Sequence, residues 1–407
     1  MALKGRKSST KNPPFFSHEF VIQNHADIVS CFAMIFVVGL MVQVTSPLAY
    51  MFIAVHHNVS SEQQSAETPD VTRFTYGYKD ICAVFFYFLI CIVMHAIIQE
   101  YVLDKISRKL HLSKVKHSKF NESGQLLVFY VMSVLWGGDA ILKENLVLNI
   151  SSLWEGYPHN EMTFMFKFFF IIQMSYWLHC YPELYFQRTK REEMFPRVLY
   201  ATVGLVYVAA GYLLNFNRVA ICLLVIHYFS EALFHVARLV DFVDKEEKGS
   251  KAGYLVSDVF FVLARLASII LSVLTFWYGL SLSDTQGLDL ADGNFNIPPI
   301  RLFALGAVCL LQAYLMFHFI TDKLRQLREQ APSVQTRKLP AKKTVPKKKK
   351  DESSSSLVGT LLGKLFGTKP KKAKAKANSA IDDTFNEMTE VDQNTKKSLR
   401  SRTVKTK

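Results

Sequence analysis

The chain has 407 residues, 50% of them apolar, 13% aromatic and 20% charged, with a formal net charge of +14. That charge is not spread evenly: residues 321–407 hold 23 Lys and Arg against 9 Asp and Glu, so the remainder is nearly neutral. The six cysteines, Cys31, Cys82, Cys91, Cys180, Cys222 and Cys309, all fall in apolar runs and none has C-x-x-C spacing, which excludes a disulfide or metal framework.

The apolar runs lie at roughly 28–52, 80–100, 125–142, 162–184, 196–213, 218–240, 254–282 and 299–320. A membrane-spanning helix needs about 20 mostly apolar residues to cross about 30 Å of hydrocarbon. The pattern therefore predicts an all-α, polytopic membrane bundle of about eight helices. The fifth run is short and abuts the sixth. The first begins near Ile28, is too long for a signal h-region, and reads as a retained anchor.

Connections alternate in charge. Lys4, Arg6, Lys7 and Lys11 precede the first run. Lys105, Arg108, Lys109, Lys114, Lys116 and Lys119 fill the second connection, and Arg188, Lys190, Arg191 and Arg197 the fourth. The sixth has Arg238, Lys245, Lys248 and Lys251, offset in part by Asp244, Glu246 and Glu247. The odd connections carry Glu62, Glu67 and Asp70, then Glu144, Glu155 and Glu161, then Asp284, Asp289 and Asp292. Lys and Arg excess marks the cytosolic side, so both termini are expected in the cytosol. Asn58 of Asn58-Val59-Ser60 then lies in a lumenal loop and is the expected glycosylation site. Asn149-Ile150-Ser151 is lumenal but close to a span, and Asn121-Glu122-Ser123 is cytosolic.

Ionisable residues inside a bilayer are costly and face the bundle interior. The expected intramembrane polar cleft comprises His95, His179, Glu183, Arg218, His227, Glu231, His235 and Arg265. His227, Glu231, His235 and Arg238 share a helix face at spacings of 4, 4 and 3. Glu231 and Arg265 are expected to pair. His227, Glu231 and His235 are spread over about 12 Å of helix axis and cannot converge on one metal ion. The sequence has no nucleophile elbow, P-loop or dinucleotide fingerprint, so no catalytic residue, metal or cofactor is expected.

From about residue 330 the chain is rich in Lys, Ser, Thr and Ala, which predicts disorder. Leu357, Leu361, Leu362, Leu365 and Phe366 recur at helical spacing, and a solvated tail and a membrane-surface helix both fit them. The basic runs fit anionic lipid or RNA equally.

Several long stretches carry a resemblance: "SHEFVIQNHADIVSC", "IQEYVLDKISRKLHLSKVKHSKFNESGQL", "YPHNEMTFMFKFFF", "YWLHCYPELYFQRTKRE" and "LNFNRVAICLLVIHYFSEALFHVARL". Across residues from about 17 to 320 the chain resembles the translocating chain-associated membrane proteins, a family of the TLC-domain group that also holds the ceramide synthases. The resemblance implies a multi-pass protein of the endoplasmic reticulum membrane beside the Sec translocon. Its partners would be nascent polypeptides, membrane lipids and, in reach of its cytosolic face, the ribosome. The chain is expected to divide into a cytosolic 1–27, the first two transmembrane helices with a lumenal loop and a basic cytosolic connection over 28–116, a TLC-like transmembrane domain over 117–325, and a disordered lysine-rich cytosolic tail over 326–407. Ceramide synthases are similar around Asn217, Arg218, His227 and Glu231, and their acyl transfer is tied to an adjacent His pair upstream. Counting back from Arg218 places that pair near Tyr200-Ala201, where this chain has no histidine. The resemblance thus implies a TLC fold without the acyltransfer base, with a lipid-binding or lipid-remodelling role as the alternative to translocation.

Overall fold

The computed structural model describes residues 14, 17–59, 72–244 and 248–330. The basic residues before position 12, Ser60, the acidic residues of the first connection and the tail motif at 357–366 lie outside the described residues. So do Lys245, Glu246 and Glu247.

Ser17 caps the first helix by accepting a hydrogen bond from the Phe20 amide, so α1 spans His18–Gly39. It starts ten residues ahead of the expected apolar run, and the run itself is broken. Thr45 Oγ1 donates to the Gly39 and Val42 carbonyls, Pro47 opens a new helix, and α2 runs Ser46–Ile53. Phe36 and Phe52 pack at 4.8 Å between the two helices. Helix α3, Asp80–Ile97, widens into a π turn at Ile98–Leu103 and continues as α4, Asp104–Lys109. At this loosened stretch the His95 carbonyl accepts from Gln125 at 2.8 Å. The rest are α5, Lys114–Lys143; α6, Phe164–Phe186; α7, Arg191–Leu213; α8, Asn217–Val243; α9, Lys248–Ser272, extended by a π turn at Val273–Tyr278; and α10, Pro298–Gln330. The boundaries expected at 27/28, 116/117 and 325/326 fall inside α1, α5 and α10.

Among the described residues, seven helices are long and apolar enough to cross a membrane. Helix α6 is more polar, yet it is 23 residues long and runs beside α3 throughout. Lys167 meets Asp80, Ser175 Oγ donates to the Val84 carbonyl, and Glu183 meets His95, so the two helices are parallel and coextensive. It is the eighth span of a polytopic helical bundle. Helix α8 is the most enclosed, with α5 on one side and α9 on the other. Ala220 and Ala237 let it close on Gly211 of α7 and Gly253 of α9; a Cβ on Gly211 would stand 2.5 Å from that of Ala220.

Most strands are two residues long. Antiparallel β1 (Asn58–Val59), β2 (Arg73–Phe74) and β3 (Met162–Thr163) tie the first and third connections together. A hairpin of β4 (Gly287–Asp289) and β5 (Asn294–Asn296) covers the start of α10. Between them Asn215, with φ 56°, donates to Asn160 and the Gly293 carbonyl, and Asn217 donates to the His159 carbonyl. His159 is buried there and its Nε2 donates to the Glu155 carbonyl at 2.9 Å. Burial, with the Arg218 guanidinium beside it, pulls its pKa down to about 4.

Candidate functional site

A cavity of about 430 Å³ lies between α7 and α10, with α8 and α9 behind it. Leu199, Val203 and Gly204 line it from α7, Leu223 and Leu224 from α8, and Val308, Leu311 and Leu315 from α10; Trp177 reaches in from α6. Helix α10 packs on α9 and its π turn, and α7 packs on α6 and α8. At the rim, Leu310 is 74% exposed and Tyr314 52%, so the cavity opens sideways, toward the bilayer.

Its polar centre is built around Arg265, which is 1% exposed. Arg265 Nη1 donates to Gln312 Oε1 at 3.1 Å, and Nη2 donates to Ser230 Oγ and His227 Nδ1, each at 2.9 Å. Phe261 lies under the guanidinium at 4.8 Å. One cation thus binds α8, α9 and α10 together. It also sets the state of His227. A guanidinium only donates, so His227 Nδ1 accepts, and the neutral ring carries its proton on Nε2. That nitrogen faces the Tyr200 hydroxyl at 3.4 Å, and Tyr200 lies 2.9 Å from the Tyr130 hydroxyl. Neither ring nitrogen offers a lone pair to the cavity.

The eight residues expected in one cleft divide among separate places. His227 and Arg265 line this cavity. Glu231 stands behind them, 3.9 Å from His227 Nδ1. The expected Glu231–Arg265 ion pair is not formed within 4.0 Å: Nη1 and Nη2 donate instead to Gln312, His227 and Ser230, and Nε has no hydrogen-bond partner among the described residues. His235 stacks on Tyr130 two turns further along α8. Arg218 lies at the other end of α8, its Nη1 donating to the Ser152 carbonyl at 2.7 Å.

His95, His179 and Glu183 form a second centre between α3 and α6. Glu183 Oε1 is 3.2 Å from His95 Nε2, and His95 Nδ1 is 3.3 Å from His179 Nε2. His179 Nδ1 in turn contacts the Tyr176 carbonyl, and Gln187 donates to Glu183 at 3.1 Å. Helix α6 itself separates the two centres, because Trp177 and His179 point to opposite sides.

Four residues escaped the sequence reading of sites. Tyr200 was marked only as a position lacking histidine, although it sits beside His227. Ser230 gives no signal in a helix of this composition. Lys167 and Asp80 form a fully buried pair at 2.8 Å, with the Tyr212 hydroxyl donating to Asp80 and Lys167 donating to the His56 and Thr75 carbonyls. A lysine inside an apolar run was their visible signal.

Residues 119–321 match the family model described as TLC domain. Translocating chain-associated membrane protein 2 of Mus musculus is 45% identical over 320 residues, covering 79% of this chain and 85% of the relative. The Homo sapiens protein of that name gives the same identity and coverage. A sphingosine N-acyltransferase-like protein of Alternaria alternata is 23% identical over 174 residues, covering 42% of this chain and 39% of the relative.

Proposed function

This chain belongs to the translocating chain-associated membrane protein family of the TLC-domain group, and from that premise we propose that it assists nascent secretory and membrane proteins at the Sec translocon of the endoplasmic reticulum. The observation that carries the reading is the sideways-opening cavity between α7 and α10, with apolar walls and one polar centre about Arg265. A signal with few large apolar side chains enters lipid poorly, since each buried CH₂ is worth about 0.8 kcal/mol. A partly polar surface at the edge of the bundle offers such a segment an intermediate environment. A whole spanning helix, about 10 Å wide and 30 Å long, exceeds the cavity several-fold, so the contact would be along the α7–α10 cleft with single side chains entering.

The test is translocation into vesicles reconstituted with and without the protein, across signals of graded hydrophobicity. The expected gain is confined to weak signals; equal yields across the series end the accessory role.

Acyl transfer is not part of this proposal. Tyr200 and Ala201 supply no imidazole, and the His227 ring has no lone pair directed at the cavity. Purified protein given acyl-CoA and a sphingoid base should turn over no faster than a blank.

The orientation proposed places the basic ends of α5, α7 and α10 in the cytosol and Asn58 in the lumen. Asn58 is exposed in β1 and accessible to glycosylation, whereas Asn121 is buried and donates to Asp104 at 2.9 Å. A glycosidase-sensitive gel shift should vanish in Asn58→Gln and persist in Asn121→Gln; the reverse pattern inverts the topology.

A further inference from the structure

The polar centre of the cavity presents donors. Gln312 accepts from Arg265 through Oε1, which leaves its amide nitrogen as a donor. His227 holds its proton on Nε2, and Arg265 carries a permanent charge. Among the described residues lining the cavity, none is acidic. The nearest described carboxylate in contact with this group, Glu231, stands behind it, 3.9 Å from His227 Nδ1, the nitrogen that accepts from Arg265, and does not line the cavity. Arg265 is therefore a buried cation whose direct partners are a neutral amide, a neutral imidazole and a hydroxyl. Arg265 Nε is buried with no hydrogen-bond partner among the described residues, so the guanidinium keeps one charged donor that an anionic oxygen would satisfy.

Position and size restrict that anion. His227 is ten residues into α8, so the donors lie about 15 Å from that end of the span, near mid-bilayer. Two-chain phospholipids keep their headgroups at the interface and cannot present one there. The volume of about 430 Å³ lies within the usual range for small-molecule sites. One guanidinium balances one negative charge. The walls above and below it, Leu199, Val203, Leu224, Val308, Leu311 and Leu315, accept an unbranched apolar chain.

We propose that this cavity binds a single-chain lipid with a monoanionic head, a long-chain carboxylate, with the carboxylate held by Arg265, His227 and Gln312. The assignment concerns the cavity alone and holds whether or not nascent segments meet the same cleft.

Trp177 in the wall gives a direct readout, because bromine quenches indole fluorescence on contact. Purified full-length protein is titrated with a dibrominated stearate and, in parallel, with the alcohol and amine of the same brominated chain. The carboxylate should quench saturably and more tightly than either analogue, and the saturable part should disappear in Trp177→Phe. Arg265→Gln should weaken the carboxylate by at least about tenfold, the loss of a charge-assisted hydrogen bond, and leave the alcohol unchanged. Should that variant not fold, Gln312→Leu provides the same comparison with a smaller loss. Val203→Phe, filling the cavity, should abolish saturable quenching while the melting temperature is kept. Equal binding of carboxylate, alcohol and amine would overturn the proposal, as would quenching that survives Val203→Phe. Tighter binding of a single-chain phosphate than of the carboxylate would overturn the assignment of the head. None of these outcomes depends on translocation, so the transport reading stands or fails separately.

Discussion

The α3–α6 interface and the α7–α10 cavity are made of similar residues with opposite results. Along α3–α6, Asp80 with Lys167 at one end and His95 with His179 and Glu183 at the other close two helices against each other along their whole length. In the cavity, Arg265 likewise gathers three helices, but α7 and α10 stand apart in front of it. Polar groups within a bilayer therefore do not mark a ligand site by themselves. What differs is whether a neighbouring helix covers the group or leaves one side open.

The sharpest way to break the comparison is at the closed interface. Lys167→Leu leaves Asp80 buried beside Tyr212 without its cation, and Asp80→Leu does the converse. Each should cost about 3–5 kcal/mol, seen as loss of folded protein in a detergent melt. The double variant should recover much of that loss. If it does not, the pair is not what joins the two helices.

A smaller effect is expected at the open site. Arg265→Leu removes donors from Gln312, Ser230 and His227 and should cost about 2–3 kcal/mol. A double-mutant cycle of Arg265→Leu with Gln312→Leu should give a larger coupling energy than one with Glu231→Gln. The opposite ranking would restore Glu231 as the partner of Arg265.

The smallest effect, taken per pH unit, lies outside both regions, at His159. Unfolded, its imidazole titrates near the ordinary 6.5; folded, it stays neutral down to about 4. Between those values the unfolded chain binds the extra proton. Stability is therefore fully present above pH 6.5 and falls as pH drops, by about 1.4 kcal/mol per pH unit. Replacing His159 by Gln should flatten the melting profile over that window; an unchanged slope assigns the acid sensitivity to another group.

Much of the architecture was legible in the sequence, because span length and charge alternation follow from bilayer thickness and little else. The break between α1 and α2 was signalled by Thr45-Ser46-Pro47 within a run otherwise apolar enough to pass as one helix. The site was legible in part. A 3.6-residue period puts His227, Glu231, His235 and Arg238 on one face, but it does not say which helix that face meets. His235 meets Tyr130 of α5, Arg238 reaches Glu122 of α5, and His227 meets Arg265 of α9. The same limit merged two clusters into one expected cleft. Helical spacing separates Trp177 from His179, yet only the packing shows that one faces the cavity and the other faces α3.

The parallel pairing of α3 and α6 has a consequence for how the protein is made. Helix α6, carrying Lys167, Gln173, His179 and Glu183, is too polar to partition well by itself during synthesis. Its lysine loses its cost only beside Asp80, which emerges from the ribosome 87 residues earlier. The first half of the chain must therefore wait in the membrane with Asp80 lacking its cation until α6 arrives. A member of the translocating chain-associated membrane protein family is, by its own sequence, a demanding client for insertion.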